Sequence, residues 1–308
     1  MTEAALEWEN AVFSVRHGFW MQSKTLLHGI SITVPCGTVM GLVGPNGAGK
    51  TTTIKLGAGL LEPDSGQVMI KGIPATVPEA KRCLGFLTES QYIYPHLRLK
   101  EWLIMLAGFS GLGGSRLAQR TQAVLDLTDL VPQANQLMST LSKGQLQRAG
   151  LAQALIHEPE ILLLDEPMSG LDPYWRYRIQ SILLDYKAGG GTILFSSHIL
   201  SDVERLSDQV VFLEKGRVQW SGRLSEMPRK ILGYEIICET GNPGIFEDFA
   251  KNKSDIIRQP EGSWRVMITE DRKKDFLRTA NDSSITIVSL RPVQEEIAEV
   301  LFRFRNAA

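Results

Sequence analysis

The sequence has few cysteines, no long apolar run and almost no net charge, and each of these absences excludes a class of protein. Its three cysteines, Cys36, Cys83 and Cys238, share no spacing typical of a metal or redox site, so we expect reduced, buried thiols in a cytosolic protein. No apolar run approaches the ~20 residues that a membrane-spanning helix needs. The net charge of -1 creates no overall field that would attract nucleic acid or an anionic membrane, so we expect neither as a direct partner.

The start of the chain, MTEAALEWEN, is acidic and has neither the basic segment nor the apolar core of a secretory signal. We therefore expect no such signal, and a protein of this sequence that worked at a membrane would need another chain to anchor it. The 308 residues, 43% of them hydrophobic and 22% charged, are typical of a globular protein with one large and one smaller domain.

Residues 44–52 read GPNGAGKTT and fit the phosphate-loop pattern G-x-x-x-x-G-K-[ST]. The apolar run at 39–43 predicts a buried strand before them, and residues 50–60 predict a helix. This context suits a polyphosphate, because glycines let backbone N–H groups wrap the phosphates at a helix N-terminus. Lys50 would meet the β- and γ-phosphates, and the hydroxyl of Thr51 would ligate Mg²⁺. The residues expected to hold the nucleotide here are Gly44, Pro45, Asn46, Gly47, Ala48, Gly49, Lys50, Thr51 and Thr52.

Aromatic residues stand in a predicted loop nearer the start of the chain. The alternating segments 11–15 and 30–34 predict antiparallel strands, and residues 17–20, HGFW, lie between them. A ring in such a loop either stacks on a nucleobase or packs on neighbouring apolar side chains. Phe19 and Trp20 are the candidates, and we take Trp20 as the base-stacking residue.

A helical insert separates the phosphate loop from the next motif. Residues 97–130 have helical periodicity with a break at 108–115, which predicts at least two helices. The segment TLSKGQ, residues 140–145, then precedes an apolar helix at 146–157. Ser142 lies where an N-cap would lie, and two interpretations stay open: plain capping, or an anion site at the helix N-terminus behind it.

Acidic residues follow directly after another apolar run. Residues 161–166 read ILLLDE, which predicts a buried parallel strand with Asp165 and Glu166 at its C-terminal end. A further apolar strand at 192–196 is followed by His198. Because ligands bind at the carboxyl edge of open α/β sheets, we expect these three side chains to face the same crevice as the phosphate loop.

The composition changes at residues 226–228, which we interpret as a linker. Beyond it, alternating strands and helices predict a small α+β domain of the split β-α-β kind, in which we find no site chemistry. The predicted strands are 233–239, 255–259, 263–269 and 285–290, and the predicted helices are 245–251, 272–279 and 293–304.

Taken in this order, the motifs resemble the ATP-binding-cassette family, specifically the nucleotide-binding subunit of an ABC transporter. The resemblance covers roughly residues 7–225. Residues 44–51 are similar to the family's Walker A loop, LSKGQ at 141–145 to its signature, and 161–166 to Walker B with its catalytic glutamate. Residues 169–172 resemble the D-loop, and His198 resembles the switch histidine. A signature closely followed by Walker B is nearly specific to this family.

The resemblance implies a fold: an α/β P-loop cassette at 1–225 with a mixed sheet core, an antiparallel β subdomain and a helical subdomain at about 97–148. A small accessory α+β domain at 226–308 would follow it.

Two positions depart from the family pattern. The signature usually has Gly-Gly before its Gln, and the first of these is Lys143 here. This lysine adds charge near the nucleotide but leaves contacts from Ser142 and Gly144 possible. At the family's Q-loop the sequence has Glu89 where Gln is usual, with Gln91 two residues later, and either side chain could approach Mg²⁺ and sense the γ-phosphate.

The family resemblance also implies a mechanism. Two subunits, identical or homologous, close head to tail over two ATP molecules. The phosphate loop of one subunit holds the phosphates, and the signature of the other covers the γ-phosphate. The implied catalytic residues are Glu166, His198 and Lys50, the metal ligands Thr51, Asp165 and Glu89, and the further nucleotide contacts Ser142, Gly144, Gln145 and Asp172.

The implied partner is a transmembrane permease, which would hold this subunit at the cytoplasmic face of the membrane. The stretch LSKGQLQRAGLAQAL and the tail after the cassette resemble ATPase subunits of bacterial ABC-2 exporters. The alternative is a soluble ABC-type ATPase acting on a ribosome or DNA. Such proteins usually carry two cassettes, heptad arms or a basic face, none of which this sequence has.

Overall fold

The computed structural model describes residues 3–17, 22–89, 94–240, 243–250, 252–283 and 285–307. They form two compact units, one up to Met227 and the other from Pro228 to Ala307. The strands of the first unit are β1 (Ala4–His17), β2 (Gln22–Pro35), β3 (Val39–Val43), β4 (Ser65–Ile70), β5 (Ile73–Pro74), β6 (Leu84–Leu87), β7 (Ile161–Leu164), β8 (Thr192–Ser197), β9 (Gln209–Glu214) and β10 (Arg217–Arg223). Its helices are α1 (Lys50–Gly57), α2 (Leu99–Phe109), α3 (Gly114–Leu127), α4 (Lys143–Leu155), α5 (Pro173–Ala188) and α6 (Leu200–Leu206).

A six-stranded mixed sheet with the order β10-β9-β3-β8-β7-β6 forms the centre of the first unit. All its neighbouring strands are parallel except the antiparallel pair β9–β10. Every residue of β3, β7 and β8 is buried. Strands covered on both faces need apolar side chains throughout, which is why these segments read as continuous apolar runs in the sequence.

A second sheet, antiparallel with the order β2-β1-β4-β5, lies on the other side of α1. One hydrophobic cluster joins Trp8 of this sheet, Ile54 and Leu56 of α1, and Leu163 and Leu194 of the central sheet. The helix that follows the phosphate loop is therefore packed between two sheets, and its N-terminus is fixed in position.

Helix α4 connects the helical insert to the central part of the unit. The Arg148 guanidinium donates hydrogen bonds to the carbonyl oxygens of Thr128 (2.8 Å) and Asp129 (2.9 Å) at the end of the insert. It also lies 3.7 Å from the ring centroid of Trp175 on α5. Removal from water lowers the pKa of Arg148, but the carbonyls and the ring stabilise its charge.

The cap at Ser142 is present, and it makes α4 longer than the sequence predicts. The Ser142 hydroxyl accepts from the Gln145 N–H (3.3 Å), and the Gln145 side chain accepts from the Ser142 N–H (2.7 Å). This reciprocal capping box starts the helix at Lys143, three residues before the apolar run that suggested a start at 146.

The second unit contains β11 (Ile231–Glu239), β12 (Ile256–Arg258), β13 (Trp264–Ile268), α7 (Lys273–Asp282), β14 (Thr286–Gln294) and α8 (Ile297–Ala307). Its sheet is antiparallel with the order β12-β13-β11-β14, which is the order of two interleaved split β-α-β units, as predicted.

Three element predictions in this unit were wrong. An α-helix was predicted at 245–251, but the described residues 245–250 do not form one; the segment Pro243–Asp248 is a 3₁₀ turn, anchored by the buried ring of Phe246. The last strand runs on to Gln294 instead of ending at 290, so the last helix begins at Ile297 rather than 293. Pro292 is tolerated in that strand because β14 lies at the edge of the sheet.

The three cysteines are free thiols. Cys238 is buried, whereas Cys36 and Cys83 are only half-buried, which corrects the expectation that all three would be buried. Burial raises the pKa of each thiol, for Cys238 to about 11. Of the helices in the described ranges, none is both long and apolar enough to cross a membrane.

The contact between α1 and β1 yields a stability prediction. A Cβ on Gly57 would lie 2.5 Å from Cζ2 of the buried Trp8 ring, so Gly57→Ala should lower the free energy of unfolding by about 1–3 kcal/mol. The matched control is Gly108→Ala on α2, where a Cβ meets nothing within 4 Å. That change should raise the free energy of unfolding by roughly 0.5–1 kcal/mol, since alanine favours a helix. Thermal unfolding of the full chain tests both, and an unchanged melting temperature for Gly57→Ala would contradict the tight packing.

Candidate functional site

The phosphate loop joins the C-terminal end of β3 to the start of α1. Gly47 and Gly49 have φ angles of 78° and 107°, a left-handed conformation that glycine adopts at little cost. A Cβ on Gly44 would lie 2.2 Å from the carbonyl oxygen of Leu213 on β9, so only glycine fits there. The loop is therefore tightly curled, with the N-terminus of α1 directly behind it, an arrangement that suits an anion.

Two contacts brace this loop. The Lys50 ammonium donates to the carbonyl oxygens of Gly44 (2.7 Å) and Pro45 (3.3 Å) at the start of the loop. The carbonyl of Ala48 accepts from the N–H of Gly216, at 3.0 Å, in the turn between β9 and β10. The loop thus holds its own cation in place and is supported from behind by a hairpin.

The acidic pair follows β7 and is held from the neighbouring strand β8. The buried Ser196 hydroxyl donates to Oδ1 of Asp165 (2.6 Å) and accepts from the N–H of Glu166 (2.8 Å). Glu166 has a φ of 51°, a left-handed conformation that is uncommon outside glycine and occurs at functional sites. One hydroxyl therefore fixes both the carboxylate of Asp165 and the backbone of Glu166.

Glu166 and His198 contact each other through their side chains. Oε2 of the Glu166 carboxylate lies 2.8 Å from Nδ1 of His198. A carboxylate only accepts, so Nδ1 carries the proton and Nε2 is the ring nitrogen left for another partner. The carboxylate side chain is 12% exposed and the imidazole 54%, which places the ring on the open side of the pair.

Gln147 of α4 also contacts this turn. Its side-chain N–H₂ group donates to the carbonyl oxygens of Glu166 (3.1 Å) and Pro167 (3.0 Å). Sequence reasoning missed both Gln147 and Ser196. The available signal was weak: each is a polar residue inside a segment that is otherwise buried.

An open cleft of about 440 Å³ brings most of the predicted residues together. Its lining consists of Leu26, Asn46, Gly47, Ala48, Gly49, Lys50, Thr51, Thr52, Glu89, Asp165, Glu166 and His198. Leu26, on β2, is a further residue that the sequence did not suggest. The phosphate loop, both carboxylates after β7 and the histidine after β8 thus share one crevice, together with Glu89. Trp20, Phe19 and Gln91 lie outside the described residues.

The signature segment does not line this cleft. Ser142, Gly144 and Gln145 lie at the start of α4, and Asp172 caps α5 by accepting from the N–H of Trp175 at 2.9 Å. The Lys143 side chain lies against Gly170, where a Cβ would be 2.8 Å from Cε of the lysine. The signature and residues 169–172 are therefore packed together in the same chain, and the cleft lacks the signature.

The groups in the cleft fit a magnesium nucleotide. Hydroxyl and carboxylate oxygens, from Thr51, Asp165 and Glu89, are the hard ligands that Mg²⁺ prefers alongside water and phosphate oxygens. The curled loop and Lys50 suit the phosphates.

Comparisons with known proteins agree on the family. Residues 27–169 match the family model described as ABC transporter. An ABC transporter ATP-binding protein of Nostoc sp. is 40% identical over 287 residues, which are 92% of this chain and 84% of that protein. A Nod factor export ATP-binding protein I of Burkholderia lata is 34% identical over 218 residues, 70% of each chain.

A solved structure of the ATP binding subunit of an ABC transporter is 32% identical to this chain. It covers 72% of this chain and 91% of its own, with a TM-score of 0.65. This match confirms the predicted cassette fold, with its mixed sheet, antiparallel sheet and helical insert. The chain belongs to the ATP-binding-cassette family, as an ABC transporter subunit that binds ATP with Mg²⁺ and hydrolyses the ATP.

Proposed function

We propose that this subunit closes head to tail with a second copy, or with a homologous subunit, over two ATP molecules and so powers a transmembrane permease. The observation that carries the proposal is the composition of the cleft. It is lined by the phosphate loop, Asp165, Glu166 and His198, but not by Ser142, Gly144 or Gln145. A cleft with the hydrolytic groups and without the signature is half of a site, and the signature of another subunit would complete it.

In this site the phosphate loop and Lys50 bind the β- and γ-phosphates. Thr51, Asp165 and Glu89 would hold Mg²⁺, directly or through water, and the bound ion would neutralise charge on the phosphates. Ser196 keeps the Asp165 carboxylate in a fixed orientation through its 2.6 Å hydrogen bond. Catalysis then depends on positioning and on stabilising charge.

Glu166 orients the attacking water and takes its proton at the carboxylate. His198 keeps that carboxylate in place by donating from Nδ1 to Oε2, and its half-exposed ring contacts the γ-phosphate. Ser142, Gly144 and Gln145 of the other subunit cover the γ-phosphate, and Asp172 lies near the interface between the two subunits.

The direction proposed for transport is export. The support is the 34% identity with a Nod factor export ATP-binding protein, together with the resemblance to ABC-2 subunits.

The permease would dock on the surface between Glu89 and Phe109 and hold this subunit at the cytoplasmic face of the membrane. Phe109 is 79% exposed and lines, with Phe86, Leu106 and Arg82, a cavity of about 690 Å³. An exposed ring beside an open cavity suits a helix from a partner.

Glu166→Gln should retain ATP binding and trap a closed, ATP-bound dimer, while hydrolysis falls by roughly 100- to 10,000-fold because the general base is lost. Phosphate release measures turnover, and size-exclusion chromatography with ATP measures the dimer. The matched control is Glu160→Gln, the same change at the residue directly before the N-terminal end of β7. Glu160 forms an ion pair with Lys71 at the surface. Unchanged turnover in Glu166→Gln would contradict the assignment of the base.

Lys50→Ala should weaken ATP binding at least about tenfold, which corresponds to about 1.4 kcal/mol. The reason is the loss of the cation that the loop carbonyls hold beside the phosphates. Calorimetric titration with ATP provides the measurement, and Lys55→Ala, in the last turn of the same helix, provides the control. Normal affinity in Lys50→Ala would rule out its role in phosphate binding.

Phe109→Glu should leave the ATPase rate of the isolated subunit within about twofold of the parent, because surface changes rarely affect the fold. It should strongly reduce co-purification with a multi-span membrane partner, since a charge would enter an apolar contact. Leu60→Glu, at another exposed position (57%), is the control. If the parent chain binds no membrane subunit at all, the soluble alternative is favoured.

A further inference from the structure

The backbone around Glu166 is held by two side chains that come from different elements. Its N–H donates to the Ser196 hydroxyl on β8, and its carbonyl oxygen accepts from the Gln147 amide on α4. The next carbonyl, of Pro167, accepts from the same amide. Both peptide groups that flank the left-handed Glu166 are therefore fixed by side chains.

Gln147 has no role in the mechanism described above, yet its position is specific. It is 4% exposed, and its one N–H₂ group serves two carbonyl oxygens, at 3.1 Å and 3.0 Å. A glutamine amide has two donor hydrogens, so both are used by this turn. A glutamine that merely filled space would not need such an arrangement.

We propose that Gln147 is a positioning residue for ATP hydrolysis, which acts by holding Glu166 in the left-handed conformation that aims its carboxylate at the attacking water. The inference rests on the assignment of Glu166 as the base. Without the amide, the Pro167 carbonyl loses this buried donor, and the Glu166 carbonyl keeps only its hydrogen bond from the N–H of Ser169 (3.0 Å). The strained turn then relaxes toward an ordinary conformation. The carboxylate then moves relative to the phosphate loop, which is fixed separately by β3, α1 and the hairpin.

The test is Gln147→Met, which keeps the length and volume of the side chain and removes the donors. The turnover number should fall about 10- to 100-fold, the effect of a misplacement of about 1 Å at a reacting group. The KM and the calorimetric Kd for ATP should stay within about twofold, because Gln147 does not line the nucleotide cleft and the phosphate contacts are intact.

The matched control is Gln180→Met. Gln180 is also buried (6% exposed), and its amide donates to Oδ1 of Asp202 at 2.9 Å instead of to the turn at Glu166. This variant should retain the parent turnover. Equal turnover in the two variants would overturn the inference.

A second arm separates positioning from general damage to the fold. In single-turnover experiments, Gln147→Met should lower the rate of ATP hydrolysis when Glu166 is present. It should not lower the rate further in a Glu166→Gln variant, because Gln147 acts only through the Glu166 carboxylate. If the fold-reductions in hydrolysis rate of the two single variants multiply in the double variant, Gln147 acts elsewhere and the inference is wrong.

Gln147→Asn decides the matter should the methionine variant fail to fold. It keeps the polar amide and withdraws it by one methylene group, so turnover should fall while ATP binding is retained. If the Gln147→Asn variant has the turnover number of the parent protein while Glu166→Gln is slow, the role of Gln147 is refuted and the role of Glu166 as the base is retained. Parent turnover in Glu166→Gln would instead refute the base.

Discussion

The whole site depends on the parallel alignment of three neighbouring strands. Val43 of β3 is paired with Ser197 of β8, and Leu164 of β7 is paired with Phe195 of β8. The three strands thus end within two residues of one another along the sheet. The phosphate loop, the acidic pair and the histidine begin where these strands end, so the register alone brings them to one edge. A slip of one residue in any of the three would turn its side chains to the opposite face.

The surrounding structure fixes the groups that this edge presents. Helix α1 cannot shift, because it is packed between the two sheets with Gly57 against the Trp8 ring. The hairpin turn at Gly216 supports the loop, and Ser196 and Gln147 support the acidic pair. The charged groups of the cleft are therefore ordered before a nucleotide arrives, which reduces the reorganisation needed for the reaction.

Sequence alone predicted the parts of the site that are contiguous in the chain. Local patterns predict the strand at 39–43, the phosphate loop and the start of the helix at Lys50, although the helix ends at Gly57 instead of residue 60. They also predict the strand followed by Asp165 and Glu166, and the cap at Ser142. The supports of Glu166 do not, because Ser196 and Gln147 lie 30 and 19 residues away, and no local pattern marks such pairs. The 3₁₀ turn at 243–248 and the strand through Pro292 were missed for a similar reason. A buried ring decides the first, and an edge position decides the second.

The capping box at the start of α4 restricts which residue types can stand at the N-cap position, Ser142. In the cap, the Ser142 oxygen accepts from the Gln145 N–H and leaves its own O–H hydrogen unused by that bond. A hydroxyl can accept and donate at once, so in the proposed dimer the same atom could cap the start of its helix and donate to a phosphate held by the other subunit. An aspartate would cap as well, but it would bring negative charge and no hydrogen to the phosphate. An alanine would neither cap nor donate. Serine or threonine is thus the side chain that would let the helix keep its start intact while the proposed interface between subunits opens and closes.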